Sequence, residues 1–163
     1  MVGLAPPRIR TVVAVALALA VLAGSGVALS PDRMLVVERV EGGETVISQP
    51  IENGTTVALE YTHSVEKSRV YDGYTVRGEK LEMTRMEFES YGWGLPAGAN
   101  VTRQNGTLVY DPPGTLTELY VSPGEIAGHE LHVGDRTYDL VDRADGQSVR
   151  IHVEDRSPLD SLT

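Results

Sequence analysis

Residues 59–74 read LEYTHSVEKSRVYDGY, and this stretch decides how the rest of the chain folds. Side chains of one parity are mostly apolar, and those of the other parity are polar. Because successive strand side chains point to opposite faces, the pattern predicts a strand with one face on a core. The expected inward set is Val57, Leu59, Tyr61, His63 and Val65, and the outward set is Glu60, Thr62, Ser64 and Glu66. A second strand is expected at Val70, Tyr74 and Val76.

Short apolar runs separated by turn residues continue on both sides of this stretch. Runs at 34–40 and 45–51 precede it, and Pro50 places the second run at a sheet edge because proline donates no ladder hydrogen bond. Turn signals at this spacing indicate an all-β fold, an antiparallel β-sandwich or a partly open barrel of about 8–10 short strands. Further strands are expected within 100–110 and at 116–121, 130–133, 137–141 and 148–153, the last with Val149, Ile151 and Val153 facing inward.

The segment KLEMTRMEFESY at 80–91 contains two apolar pairs of opposite parity. Leu81 and Met83 form one pair, and Met86 and Phe88 form the other. A β-bulge near 84–85 brings both pairs to one face, since one extra residue reverses the alternation. A helix is the alternative, but no helix caps are evident and the neighbouring segments are β-like, so the bulged strand is favoured.

The composition restricts the classes of function. The chain has 163 residues and no cysteine, which excludes disulfides, thiolate metal sites and cysteine nucleophiles. All 23 acidic residues but only twelve of the fourteen basic ones follow residue 31, so this part carries a formal charge of −11. Such a charge argues against nucleic-acid binding. Because Lys67 and Lys80 are the only lysines, the acidic surface also predicts a halophilic source, with an ordinary acidic protein as the alternative.

The N-terminal segment predicts export. Residues 11–30 contain no charge and follow Arg8 and Arg10, which the positive-inside rule keeps in the cytoplasm. The length favours an uncleaved transmembrane helix of the cell membrane, and a cleaved signal, which gives a secreted protein, stays open. The expected organisation is a cytoplasmic N-terminus at 1–10, the anchor at 11–30, an extracytoplasmic β-domain at 31–155 and a flexible tail at 156–163.

Three Asn-x-Thr triplets fit an exported domain. They begin at Asn53, Asn100 and Asn105, in turn-like contexts, and are candidate glycosylation sites. Asn-Gly also forms ordinary hairpin turns, so each triplet has a plain structural interpretation as well.

The glycine-rich segment at 92–98 predicts a loop around Trp93, the only tryptophan of the chain. Two roles are open for this side chain. It either closes the end of the core or lines a binding surface.

Several of these motifs together resemble a known family. Residues 61–67 (YTHSVEK), an acidic position at Asp72, the pair Thr84 and Arg85, and the loop YGWGLP at 91–96 resemble the domain of unknown function 1850 family, with a weaker match at 128–131. Members of that family are small exported proteins encoded beside permeases of TAXI-type TRAP transporters. The resemblance therefore implies an accessory role, with a TRAP-type permease or its solute-binding protein as partner. Ser68 and Arg69 depart from the family pattern.

The motif residues do not form an evident catalytic group. On a strand, His63 and Ser64 point to opposite faces and cannot act as base and nucleophile together. His63 is expected to be a buried structural residue, with a ligand or base role as the alternative. Lys67 and Arg69 are close enough in sequence to Glu66 and Asp72 to form ion pairs, which contribute little to stability when exposed. Histidine spacing gives little support for a metal site, and no cofactor or catalytic residue is assigned. The candidates for ligand or partner binding are His63, Ser64, Glu66, Lys67, Asp72, Arg85, Tyr91 and Trp93.

The sequence thus favours a membrane-anchored extracytoplasmic accessory protein of a TAXI-type TRAP solute transporter, and not an enzyme. The alternative is a free module that binds a small organic anion or a sugar. A hydrolase centred on His63 is the third hypothesis.

Overall fold

The computed structural model describes residues 33–90 and 100–156. The segment at 11–30 that the sequence predicts as an anchor lies outside these described residues, and so do Tyr91, Trp93 and the tail beyond residue 156. No helix within the described ranges is long and apolar enough to cross a membrane.

Twelve β-strands and one short helix form the described part of the chain. The strands are β1 (Arg33–Arg39), β2 (Thr45–Ile51), β3 (Thr56–Thr62), β4 (Arg69–Arg77), β5 (Lys80–Phe88), β6 (Thr102–Gln104), β7 (Thr107–Tyr110), β8 (Thr115–Leu116), β9 (Glu118–Val121), β10 (Glu130–Val133), β11 (Arg136–Asp139) and β12 (Val149–Asp155), and the helix is α1 (Leu140–Ala144). The expected 8–10 strands are too few, because the chain between 102 and 121 is divided into four strands of two to four residues.

The strands form two open antiparallel sheets. The smaller sheet has four strands in the order β2-β1-β12-β9. The larger has eight, in the order β11-β10-β3-β4-β5-β7-β6, with β8 paired to β5. The prediction that Pro50 lies on an edge strand is confirmed, since β2 pairs only with β1.

The two sheets share one hydrophobic core and therefore form a sandwich. Leu35 of β1 and Ile151 of β12 are fully buried in the same cluster as Val57 of β3 and Val76 of β4. The predicted inward faces of β12 and of the first half of β3 are thus confirmed. A smaller cluster of Val70, Phe88 and Leu108 lies near the other end of β4. Burying aliphatic side chains from both sheets is the main stabilising contribution to such a fold.

The bulge predicted in β5 is confirmed. Gly73 pairs with Arg85 and the next residue, Tyr74, pairs with Met83, so Thr84 is the extra residue of β5. The shift lets Leu81 and Phe88, which differ in parity, both become fully buried. The Thr84 hydroxyl donates to the Gly73 carbonyl (3.3 Å), which holds the bulge in place.

The predicted strand at 137–141 is wrong at its end, because the chain forms a helix from residue 140. Asp139 is the N-cap of α1, and its Oδ1 accepts hydrogen bonds from the backbone N–H groups of Val141 (2.8 Å) and Asp142 (3.2 Å). The helix buries Leu140 and Ala144 and ends at Asp145, whose left-handed φ of 52° stops it. Strand alternation therefore stops where a capping side chain satisfies the first N–H groups of a turn.

Candidate functional site

The β3–β4 loop (residues 63–68) carries most of the YTHSVEK motif and lies at one end of the sandwich. Strand pairing ends at Thr62 and Arg69, and the His63 N–H then donates to the Ser68 carbonyl (2.8 Å). The Lys67 N–H donates to the His63 carbonyl (2.9 Å), which closes a tight turn. Lys67 adopts a left-handed φ of 53°, a conformation that few non-glycine residues take.

The expectation that β3 continues through Glu66 is therefore wrong. Val65, expected in the core, is 67% exposed, and His63 is only partly buried. The cause is local hydrogen bonding: the Glu66 N–H donates to His63 Nδ1 (3.2 Å), so the imidazole satisfies turn backbone instead of facing the core. Because residues 63–68 are not in a strand, their side chains do not alternate between two faces of a sheet. The predicted outward set therefore does not extend to Ser64 and Glu66.

The β9–β10 loop (residues 122–129) lies beside the β3–β4 loop. The N–H of Thr62, at the end of β3, donates to the Ala127 carbonyl (2.8 Å), which joins this loop to β3. The Ala127 and Gly128 N–H groups both donate to the Gly124 carbonyl, so the loop is compact. The His129 ring stacks on the Tyr61 ring with centroids 5.2 Å apart and planes 17° apart.

An open groove of about 870 Å³ lies between the two loops. This volume is within the range of small-molecule sites in proteins. Five consecutive or near-consecutive residues of the motif line one wall: Tyr61, Thr62, His63, Ser64 and Lys67. The other wall is formed by the β9–β10 loop and includes His129 and Ile126, which is 78% exposed.

Asp72 lies behind the groove on the inner face of the larger sheet. It pairs with Leu59 on one side and Met86 on the other, between the buried Val70 and Tyr74. Burial raises the pKa of Asp72 to about 6, and a hydrogen bond with the Tyr61 hydroxyl opposes this shift in part. Its Oδ1 is buried with no hydrogen-bond partner within the described residues.

Tyr61 connects Asp72 with the groove. Burial, followed by the charge of Asp72, raises the pKa of Tyr61 to about 12, so its hydroxyl remains a donor. Burial alone lowers the pKa of His129, which keeps that imidazole neutral. A chain of contacts therefore runs from Asp72 in the sheet interior, through Tyr61, to His129 at the groove wall.

The outer face of the same sheet carries an ion-pair network. Arg69 binds both carboxylate oxygens of Glu60 (2.8 and 2.9 Å) and also Glu87 (3.1 Å), while Arg85 binds Glu87. The hydrogen bond from Arg69 lowers the pKa of Glu60, and that from Arg85 lowers the pKa of Glu87. The ion pair of Arg69 with Asp72 that the sequence allows does not form, because alternate residues of β4 face opposite sides of the sheet.

Among described residues, no three His, Asp or Glu side chains are grouped so that they could hold a metal ion.

A family model described as "Domain of unknown function (DUF1850)" matches residues 57–140, just over half of the chain. The chain belongs to the DUF1850 family. The matched residues run from β3 to the start of α1, so the DUF1850 segment includes both loops of the groove. No curated protein and no solved structure matches the chain.

The candidate residues of this DUF1850 member separate into three groups. His63, Ser64 and Lys67 line the groove. Glu66 lies in the same loop and accepts a hydrogen bond from Ser90 (3.3 Å), and Asp72 lies beneath Tyr61. Arg85 is on the outer face with Glu87, away from the groove lining.

Sequence reasoning selected only His63, Ser64 and Lys67 from the groove lining and missed the others, among them Tyr61, His129 and Ile126. Tyr61 was assigned to the core because of its parity, and His129 had only the weak motif at 128–131 as a signal. Ile126 had none, because loop residues show no periodicity by which exposure can be predicted.

Proposed function

We propose that this chain is a recognition protein and not a catalyst, and that it assists a TAXI-type TRAP transporter by binding a transporter subunit at the groove. In this proposal, residues 11–30 anchor the chain in the membrane and the β-sandwich works outside the cytoplasm. The proposal takes its transporter class from the family resemblance and its binding surface from the groove.

The observation that carries the proposal is the position of exposed apolar side chains. Ile126 (78%) and Val65 (67%) are the two most exposed large hydrophobic residues within the described ranges. One belongs to each of the two loops that flank the groove, where the family motif also lies. Exposed apolar groups gathered at one place commonly mark a protein-binding surface, and they contribute most when an interface dehydrates them.

The hydrolase hypothesis receives less support from the geometry of His63. In a Ser-His-Asp arrangement the base donates its Nδ1–H to a carboxylate that orients the ring. Here His63 Nδ1 accepts a hydrogen bond from the Glu66 N–H, so that nitrogen carries no proton. A His63→Gln variant that folds but loses a hydrolytic activity of the native chain would revive this hypothesis.

Copurification from membranes in mild detergent tests the proposal. We expect the chain to bring down the permease of a TAXI-type TRAP transporter, and we expect Ile126→Glu and Val65→Glu to abolish this because a carboxylate cannot be buried in an apolar contact. Val40→Glu is the matched control, since Val40 is also exposed (50%) but lies in the turn after β1. Equal recovery of the permease by all three variants would refute the proposed surface.

A further inference from the structure

The groove is less negative than the domain around it. Residues after 31 carry a formal charge of −11, yet in the described groove lining Lys67 balances the one carboxylate, Glu125. The imidazoles of His63 and His129 add hydrogen-bonding groups without negative charge. Charge complementarity selects partners of opposite sign. In an acidic protein, a groove that has no net formal charge and contains a lysine therefore favours an anionic ligand over the surrounding surface.

His129 is a preoriented hydrogen-bond donor in this groove. Its Nδ1 accepts from the Gly124 N–H (3.4 Å), so in the neutral ring the proton is on Nε2. Stacking on Tyr61 fixes the plane of the ring. A donor held from two sides loses little entropy when it binds an acceptor.

Lys67 is also held by its backbone. The left-handed φ of 53° is maintained by the hydrogen bonds that close the β3–β4 loop, and the residue lines the groove. Non-glycine residues in this conformation concentrate at functional sites, where the surrounding structure imposes them. Lysine contributes a compact charge that binds carboxylates without a fixed geometry.

The remaining wall is apolar. Ile126 projects with 78% of its surface exposed, next to Ala127 in the same lining. A ligand that carries only charge, such as sulfate, leaves this surface in water. A ligand with an aliphatic group beside its charge covers this apolar surface and removes it from water.

We infer that the groove binds a carboxylate attached to an aliphatic group, with the carboxylate at Lys67 and His129 and the aliphatic part against Ile126. The inference rests on the proposed function, since it specifies what the groove recognises. Two sources supply this chemistry: a free organic acid, or the C-terminal carboxylate of a partner chain that ends in aliphatic residues.

Titration calorimetry on the full chain in a non-ionic detergent tests the inference with hexanoate, hexanamide and sulfate. We expect hexanoate to bind and hexanamide and sulfate to bind at least roughly tenfold more weakly, because one lacks the charge and the other the aliphatic group. Equal affinity for hexanoate and hexanamide, or no binding of hexanoate, would overturn the inference.

Variants then locate the site. Lys67→Gln and His129→Phe should each weaken hexanoate binding roughly tenfold, the second while keeping an aromatic ring to stack on Tyr61. Lys80→Gln is the control, since Lys80 is the only other lysine and begins β5 at the end opposite Phe88 and the β3–β4 loop. Melting temperatures without ligand identify any variant that is misfolded. If Lys67→Gln is misfolded, Lys67→Met replaces it. An equal loss in Lys80→Gln would refute the location.

An acetylated Ala-Leu-Leu peptide, with either a free or an amidated C-terminus, distinguishes the two sources of the carboxylate. Tighter binding of the free-acid peptide than of hexanoate supports a partner chain end, and weaker binding supports a free organic acid. Binding of the amidated form as tightly as the free acid contradicts the inference. Copurification of the permease is measured separately, so failure of the proposed function and failure of this inference are distinguishable.

Discussion

Asp72 lies in an environment that opposes the charge of its side chain. It lies between strand neighbours that are apolar, and one of its oxygens is buried without a partner within the described part of the chain. Its parity in β4 is that of Val70 and Tyr74, so the inward orientation follows from the alternation in the sequence. What alternation does not supply is the hydrogen bond to Tyr61, because that depends on the pairing of β3 with β4.

The raised pKa of Asp72 predicts a pH dependence of stability. Between the ordinary aspartate pKa of 3.8 and the raised pKa of about 6, the folded state binds a proton that the unfolded state does not. The free energy of unfolding therefore falls as pH rises through this window. The total loss from this group is at most about 3 kcal/mol. Asp72→Asn cannot ionise, so its stability relative to the native chain should increase from pH 4 to pH 7.

Urea unfolding of both proteins at a series of pH values measures this difference. Other titrating groups are common to both proteins and cancel in the comparison. Parallel stability profiles over the whole window would show that Asp72 titrates normally.

Lys67 yields a second prediction at this scale. Replacing it with glycine relieves the left-handed conformation, so Lys67→Gly should leave the free energy of unfolding unchanged or raise it by up to about 1 kcal/mol while binding at the groove is lost. Asn105→Gly is the matched control, since Asn105 has a φ of 50° in the β6–β7 turn and does not line the groove. Thermal unfolding and calorimetry measure the two effects. A Lys67→Gly variant that binds hexanoate normally would contradict the assigned role.

At the level of elements, the sequence predicted the features that depend on the alternation of apolar and polar residues. It failed where local hydrogen bonds determine where an element begins or ends. The bulge in β5 was predicted because two apolar pairs of opposite parity require it. The end of β3 and the start of α1 were not, since each is set by a side chain that accepts from turn backbone, His63 in one case and Asp139 in the other. A helix of five residues is also too short for its periodicity to be recognised.

The capping role of Asp139 can be measured directly. Asp139→Ala removes the acceptor for two N–H groups and should lower the free energy of unfolding by about 1 kcal/mol. Asp135→Ala in the exposed turn before β11 removes the same charge and serves as the control. Denaturant unfolding compares the two variants. An equal effect of both would assign the change to charge and not to capping.

On the scale of the whole molecule, the all-β sandwich followed from the frequency of turn residues and from short apolar runs. The groove did not, because it forms between loops that are about 60 residues apart in the sequence and have no shared pattern. The acidic composition was evident from the sequence. It implies repulsion between carboxylates that lowers stability, and the ion pairs modify this effect.

We predict that NaCl or KCl raises the free energy of unfolding. Repulsion within a charge of −11 acts between carboxylates spread over the surface and is screened beyond about 10 Å at 0.1 M salt. The pairs of Arg69 and Arg150 with their glutamates join atoms about 3 Å apart and are screened much less. Thermal unfolding from low to molar salt should show a melting temperature that increases by several degrees. A decrease would contradict the halophilic interpretation.

The central claim is that the loops around the groove contact a transporter subunit in the membrane. Site-specific photo-crosslinking in intact membranes tests it most directly, with the crosslinking side chain placed at position 126 or 65 and, as a control, at position 40. The account predicts crosslinks to the permease of a TAXI-type TRAP transporter from positions 126 and 65 and none from position 40. Crosslinks from position 40 alone, or equally from all three positions, would contradict it.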